Sequence, residues 1–119
     1  MLKIVKSRTE NLTNSEFYLF LCILSLLLMS IGGTLNFIVI TNNGGKMPVL
    51  GYSSFETESH RFYKNITESN YWYLGDIIGK QDRIMISIGD ILMYFSVVFF
   101  SVCSYKFYKS KIIKKKKLK

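Results

Sequence analysis

A few side chains stand where chemistry could be done: Asn43, His60, Asp76, Ser87 and Asp90. Asp90 closes the run Ser87-Ile88-Gly89-Asp90, near the start of a 22-residue apolar block that extends from Ile84 to Tyr105. A carboxylate at the centre of an apolar span costs roughly 2.5 to 3.5 kcal/mol on insertion scales, so it marks a functional residue unless local structure explains it. Here a local explanation exists. Ser-x-x-Asp fits a capping box, in which the serine side chain accepts from the backbone N–H three residues on and the acid returns to the N–H of the cap. The acid then also faces the positive end of the helix dipole. Asp76 follows Tyr73-Leu74-Gly75 and precedes Ile77-Ile78. With Asp90 and Asn43 it offers a second reading, an accessory or binding element of a membrane transport or processing system with a cation or substrate site at the outer interface. Two carboxylates can also share a proton for acid–base hydrolysis, but two spans hardly enclose a water-filled active site. His60 with Glu56 and Glu58 supplies too few ligands at workable spacing for a metal. A phosphate-cradling glycine loop, an HExxH run and a Ser–His–Asp arrangement are all missing from the sequence. Neither enzyme activity nor a cofactor or metal is expected.

These residues must be positioned by a membrane protein. The chain has 119 residues, enough for one domain, and 49% of them are hydrophobic. The apolar residues gather in two dense blocks around a polar middle, whereas a soluble domain spreads them at helical or strand period. Phe17 to Ile40 holds 24 residues without a charge. As a helix it reaches about 36 Å, more than a hydrocarbon core of about 30 Å. A cleaved signal peptide, with its apolar region at Phe17 to Met29 and an exit at Ser30-Ile31-Gly32, is the rival. Such regions stop at about 7 to 15 residues, and this one continues. Asn42, Asn43 and Gly44-Gly45 are turn formers and Pro48 bars a continuing helix, with Gly44 suited to the position after the cap.

The expected fold class is α: an integral membrane helical hairpin of two transmembrane helices with a mostly irregular outer loop. Its segments are a lead at 1–16, helices at 17–41 and 87–105, the loop at 42–86 and a basic tail at 106–119. Within the loop a short helix is expected over Ser59 to Glu68, and Tyr71-Trp72-Tyr73 suits an interfacial anchor. Forty-odd residues are marginal for an independent core. Gly32, Gly33 and Asn36 put small and polar groups on the first span for close helix packing, with Ser96 and Ser101 as partners on the second. Cys22 and Cys103 each lie in an apolar block and read as small buried thiols, so no disulfide framework is expected.

The formal net charge is +8, concentrated in a tail that includes Lys114, Lys115, Lys116 and Lys117. A run directly after an apolar block suits anionic lipid headgroups better than nucleic acid. The loop is poorest in basic residues per unit length, so the positive-inside rule places both termini in the cytoplasm of a multi-pass cell-membrane protein. The absence of alanine and the abundance of Lys, Ile, Asn, Phe and Tyr point to an AT-rich bacterial genome.

The strings NNGGKMPV, YLGDII and ISIGDIL, with a histidine between the first two, resemble an uncharacterised bacterial family of integral membrane proteins, the domain of unknown function 5317 type. Asn43, Gly44, Gly45, Met47, Pro48, Val49, Leu74, Gly75, Asp76, Ile77, Ser87, Ile88, Gly89 and Asp90 carry the resemblance, over about residues 30 to 103. It implies a shortened member that keeps the C-terminal pair of helices, and it brings no activity. The expected role is that of a small non-enzymatic membrane protein that assembles with itself or with another membrane protein.

Overall fold

The structure is a computed structural model. It describes residues 2–52, 54–80 and 84–116, with side chains of the first helix described from Asn14 onward. Two helices dominate it, α1 (Leu2–Thr41) and α2 (Ile88–Lys116). Asn14–Thr41 and Ile88–Lys116, of 28 and 29 residues, are long and apolar enough to cross a membrane. Both helices run beyond the apolar blocks. α1 is already helical through the charged lead, and α2 continues through the lysine run as far as Lys116. Lys, Glu, Arg and Leu are good helix formers, and extending a helix costs far less than nucleating one. Lys117 lies outside the described residues.

Contacts divide the chain into two compact units, Met1–Leu27 with Phe95–Lys119, and Leu28–Tyr94. In the first unit the buried residues are small: Ser15, Cys22, Ser25, Ser96 and Cys103. Without bulky side chains between them, two helices can pack backbone to backbone. Both thiols are free, and Cys22 Sγ lies 3.6 Å from Ser104 Oγ.

In the second unit α1 ends on its own side chains. Thr41 Oγ1 donates to Phe37 O at 2.8 Å, Asn42 Nδ2 to Ile38 O at 2.8 Å and Asn43 Nδ2 to Val39 O at 2.7 Å. Gly44 then turns left-handed, at φ 68°, and the Gly45 N–H closes back on Ile40 O at 3.0 Å. This six-to-one closure is the principal bond of a Schellman ending, and with the two asparagines it satisfies the carbonyls of Ile38, Val39 and Ile40.

The segment after this turn carries two small sheets that its expected irregularity did not include. β1 (Met47–Leu50) pairs in parallel with β3 (His60–Tyr63), and β2 (Phe55–Glu56) pairs antiparallel to β3, giving the order β1-β3-β2. β4 (Ile78–Gly79) and β5 (Met85–Ile86) form a separate antiparallel pair. The helix expected over Ser59 to Glu68 is replaced by β3 and a 3-10 turn at Ile66–Glu68. Strand pairing on both edges of β3 outweighs local helix preference there. The rings of Phe55 and Phe62, directly opposed, stack at 4.1 Å and 7°, a cross-strand contact of the kind that stabilises short sheets. A second 3-10 turn at Trp72–Leu74 presents Tyr71, Trp72 and Tyr73, all exposed.

Candidate functional site

The residues singled out by their chemistry fall into three separate clusters in the unit Leu28–Tyr94. The first joins the two helices. The Ser87 N–H donates to Asp90 Oδ2 at 3.1 Å, and the Asp90 N–H donates to Ser87 Oγ at 3.0 Å. These reciprocal bonds are those of a capping box. Asp90 Oδ1 accepts from Asn36 Nδ2 at 2.7 Å. The single Ser87 hydroxyl proton has two acceptors, Asp90 Oδ2 at 2.8 Å and Asn36 Oδ1 at 2.9 Å. Both carboxylate oxygens of Asp90 are thus committed, so the acid serves the helix start and the helix pair together. Asn36 bonds here, whereas Ser101 Oγ bonds Val97 O of its own helix at 2.8 Å.

Close approach makes this cluster fit. A Cβ at Gly32 would lie 2.6 Å from Gly89 O, and one at Gly89 would lie 2.7 Å from Gly32 O. Gly33 is looser, its nearest neighbour being Met93 Sδ at 3.8 Å. The glycine of Ile-Gly-Asp therefore serves the helix crossing, and the acid next to it serves the cap.

The second cluster is a lock. Asn43 is buried, and its amide bonds both sides of one backbone unit, donating to Asn70 O at 2.8 Å and accepting from Asn70 N at 3.0 Å. Asn70 Nδ2 returns to Asn42 O at 2.9 Å. The amide acts as a piece of strand, pinning the loop to the end of α1 beside Tyr71, which is left-handed at φ 52°. Asn43 is therefore spent on structure. Asn70, separated from it in sequence by a stretch with no periodic signal, was not legible as its partner.

The third cluster surrounds Asp76. Its backbone extends the free edge of β1: the Asp76 N–H donates to Pro48 O at 2.8 Å, and Asp76 O accepts from Leu50 N at 3.1 Å. Proline fits β1 because that strand is an edge of its sheet and the missing N–H has no partner to lose. Gly75 is required, since a Cβ there would stand 2.7 Å from Pro48 O. The Asp76 side chain is buried. Its Oδ1 is enclosed without a hydrogen-bond partner, and its Oδ2 lies 3.8 Å from His60 Nε2. Burial first, and the charge of Asp90 second, push the Asp76 carboxyl up to about 7. His60 Nδ1 is bonded to Ser59 Oγ at 2.7 Å. The neighbouring charges are used elsewhere. Glu56 binds both Lys46 and Arg61, and those two bonds hold its carboxyl below the ordinary value.

The expected convergence of Asp76, Asp90 and Asn43 is thus narrowed. Asn43 and Asp90 are occupied by other partners, and the side chain facing Asp76 is His60. Among the described residues no group of three metal-ligating side chains stands together.

Basic residues gather in the other unit. Asn14, Tyr18, Lys106, Lys109, Ser110 and Ile113 line a groove of about 230 Å³, with Lys106 Nζ 5.8 Å above the Tyr18 ring. Lys114, Lys115 and Lys116 occupy the last turn of α2, where the helix dipole favours cations.

The Asp90 cluster predicts a graded series. Asp90→Ala removes the cap and strands Asn36, and should cost about 1 to 3 kcal/mol. Asp90→Asn should cost well under half of that, because a flipped Asn36 amide can accept from the new Nδ2 while the Ser87 N–H keeps its acceptor. Ser87→Ala should fall between them. Unfolding in detergent checks the order, and an Asn variant as unstable as the Ala variant would show that the charge itself matters.

The model of a family of unknown function, DUF5317, matches residues 12–102. Neither a curated protein nor a solved structure matches the chain. The match covers three quarters of the sequence and includes all three clusters of the unit Leu28–Tyr94, and on it the chain belongs to the DUF5317 family of unknown function.

Proposed function

We propose that the chain is a small non-enzymatic integral membrane protein, with both termini in the cytoplasm and its sheet-bearing segment outside, that assembles with itself or with another membrane protein. The observation that carries this reading is uncovered apolar surface. Only 22% and 17% of the most apolar windows of the two helices are buried. Phe17, Phe20, Leu27, Phe37, Tyr94, Phe95 and Val97 all stand exposed. A helix in a soluble core hides such residues, whereas lipid or a neighbouring helix covers them in a bilayer. Exposed Tyr52 and Phe55 on the outer segment supply aromatic surface of the type enriched at protein interfaces. The Lys106 and Lys109 groove and the terminal lysines supply a seat for anionic headgroups on the cytoplasmic side.

The test is a pair of fusions, with reporters active only inside or only outside joined after Lys119 and near Glu58, followed by cross-linking in native membranes. An inside signal at Lys119, an outside signal near Glu58 and a cross-linked species larger than the monomer are expected. An outside tail would overturn the topology, and a strictly monomeric product would overturn the assembly.

A second reading is favoured by the enclosed, unpartnered Oδ1 of Asp76. In it the outer segment binds a cation, and Asp76 is the residue that holds it.

A further inference from the structure

We propose that the cation held by Asp76 is a proton, and that His60 is the residue through which this proton is exchanged with the outer solution. The inference rests on the second reading above and names its ligand. Three features of the geometry carry it. Asp76 Oδ1 has essentially no accessible surface and no hydrogen-bond partner, so an ionised carboxyl would keep an unsolvated, unpartnered oxygen there, and a proton bound at the other oxygen removes that charge. The other oxygen, Oδ2, faces His60 Nε2 at 3.8 Å. The His60 side chain is 43% exposed, and its Nδ1 is tied to the exposed Ser59 hydroxyl. Among the described residues, His60 is thus the polar side chain that links the buried carboxyl to water.

The charges around the site agree. β1 carries no ionisable side chain, and Lys46 before it is bound to Glu56. β3 contributes His60 toward Asp76, while Arg61 is bound to Glu56. The first turn of α2 contributes Asp90, whose negative charge favours a neutral Asp76. Among the described residues no lysine or arginine lies within ion-pair distance of Asp76. A buried carboxylate without a cation is costly, and binding a proton removes that cost.

Release proceeds with the proton on Oδ2 and His60 neutral, carrying hydrogen on Nδ1. The carboxyl proton passes to Nε2, leaving a carboxylate beside an imidazolium. The imidazolium then gives its Nδ1 proton to water at the Ser59 edge, and the products are the carboxylate and a neutral ring protonated at Nε2. The 3.8 Å separation is closed by a rotation of the half-exposed ring or by one bridging water. Asp76 is clamped by its backbone to Pro48 and Leu50, so the proton's presence is felt directly by the sheet edge.

The test uses the full chain in detergent micelles with carboxyl-labelled aspartate, titrated by carbon NMR from pH 4 to 9. The Asp76 signal is identified by its loss in Asp76→Asn or, should that variant not fold, by through-bond assignment. A midpoint near 7 is expected, together with exchange between the two forms slowed about a hundredfold in His60→Phe. A carboxyl that is ionised at pH 5 and whose signal moves on addition of sodium, calcium or zinc would overturn the proton while keeping a cation site. One that is ionised and unmoved by any of them would overturn both readings. Unchanged exchange in His60→Phe would remove His60 from the route.

Discussion

Gly89→Ala and Gly32→Ala are each expected to destabilise the chain by about 1 to 3 kcal/mol, although alanine is the better helix former by about 1 kcal/mol. The cause is one methyl group aimed at a backbone oxygen. At Gly32 the new Cβ would meet the Gly89 carbonyl at 2.6 Å; at Gly89 it would overlap the Asn36 amide first and then meet the Gly32 carbonyl at 2.7 Å, and a carbonyl in a helix cannot move aside as a side-chain tip can. The helices must separate instead, which stretches the bonds among Asn36, Ser87 and Asp90 that the same crossing positions. Because the two substitutions disturb one contact, the double variant should cost less than the sum of the singles. Gly33→Ala is the control. Its Cβ has 3.8 Å of clearance to a flexible methionine sulfur, so it should be neutral or slightly stabilising. Unfolding of all four variants in one detergent checks this. Equal effects at positions 33 and 89 would show that helix propensity, and not the crossing, governs this part of the chain.

That crossing also marks the limit of what the sequence discloses. The two apolar helices are legible because each is a long run of one character, and burial in lipid or against a neighbour imposes that character along the whole run. The Ser87 and Asp90 pair is legible because its bonds span three residues, and the Asn-Asn-Gly turn that closes α1 is legible because its bonds are equally local, spanning four and five. Asn36 is recognisable as a polar group on a packing face, but its partner is not, since nothing local ties it to Asp90. The sheet was missed for a related reason. β2, β4 and β5 have two residues each, too few to show a period of two. β3, His-Arg-Phe-Tyr, shows no alternation, because both of its faces are half-buried. The meeting of His60 with Asp76 depends on β1 lying between the two segments. β1 pairs with β3 on one edge and with the Asp76 backbone on the other, and neither residue announces this. Gly75, by contrast, carried a usable signal. An isolated glycine in a short extended segment marks a place where another backbone approaches closely.

Asp76→Asn is expected to make the segment between the two helices more stable above pH 7 and to leave it unchanged near pH 4. The native Asp76 carboxyl keeps its proton up to about 7, while an unfolded aspartate releases it near its ordinary value of 3.8. Between those values the native state binds more protons than the unfolded state, so stability falls as pH rises through the window and levels off above it. The stabilisation by this proton is complete below 3.8 and lost above 7. Its size is about 2 to 4 kcal/mol, the lower figure allowing for solvent screening on the open His60 side. Asparagine is neutral and nearly isosteric, so it should remove the slope. Glu56 does not confuse the result. Its native carboxyl lies below the ordinary value of 4.5, so its contribution has the opposite sign and is complete above 4.5, and the difference between wild type and the Asn variant isolates Asp76 from pH 5 to 8. The single tryptophan of the chain, Trp72, sits in the 3-10 turn directly before Gly75 and Asp76, so its fluorescence reports this segment. Unfolding followed at Trp72 should show wild-type stability declining from pH 5 to 7 and the Asn variant flat. A wild type that gains stability over that range would mean that Asp76 is ionised in the folded protein, held by a cation it has recruited.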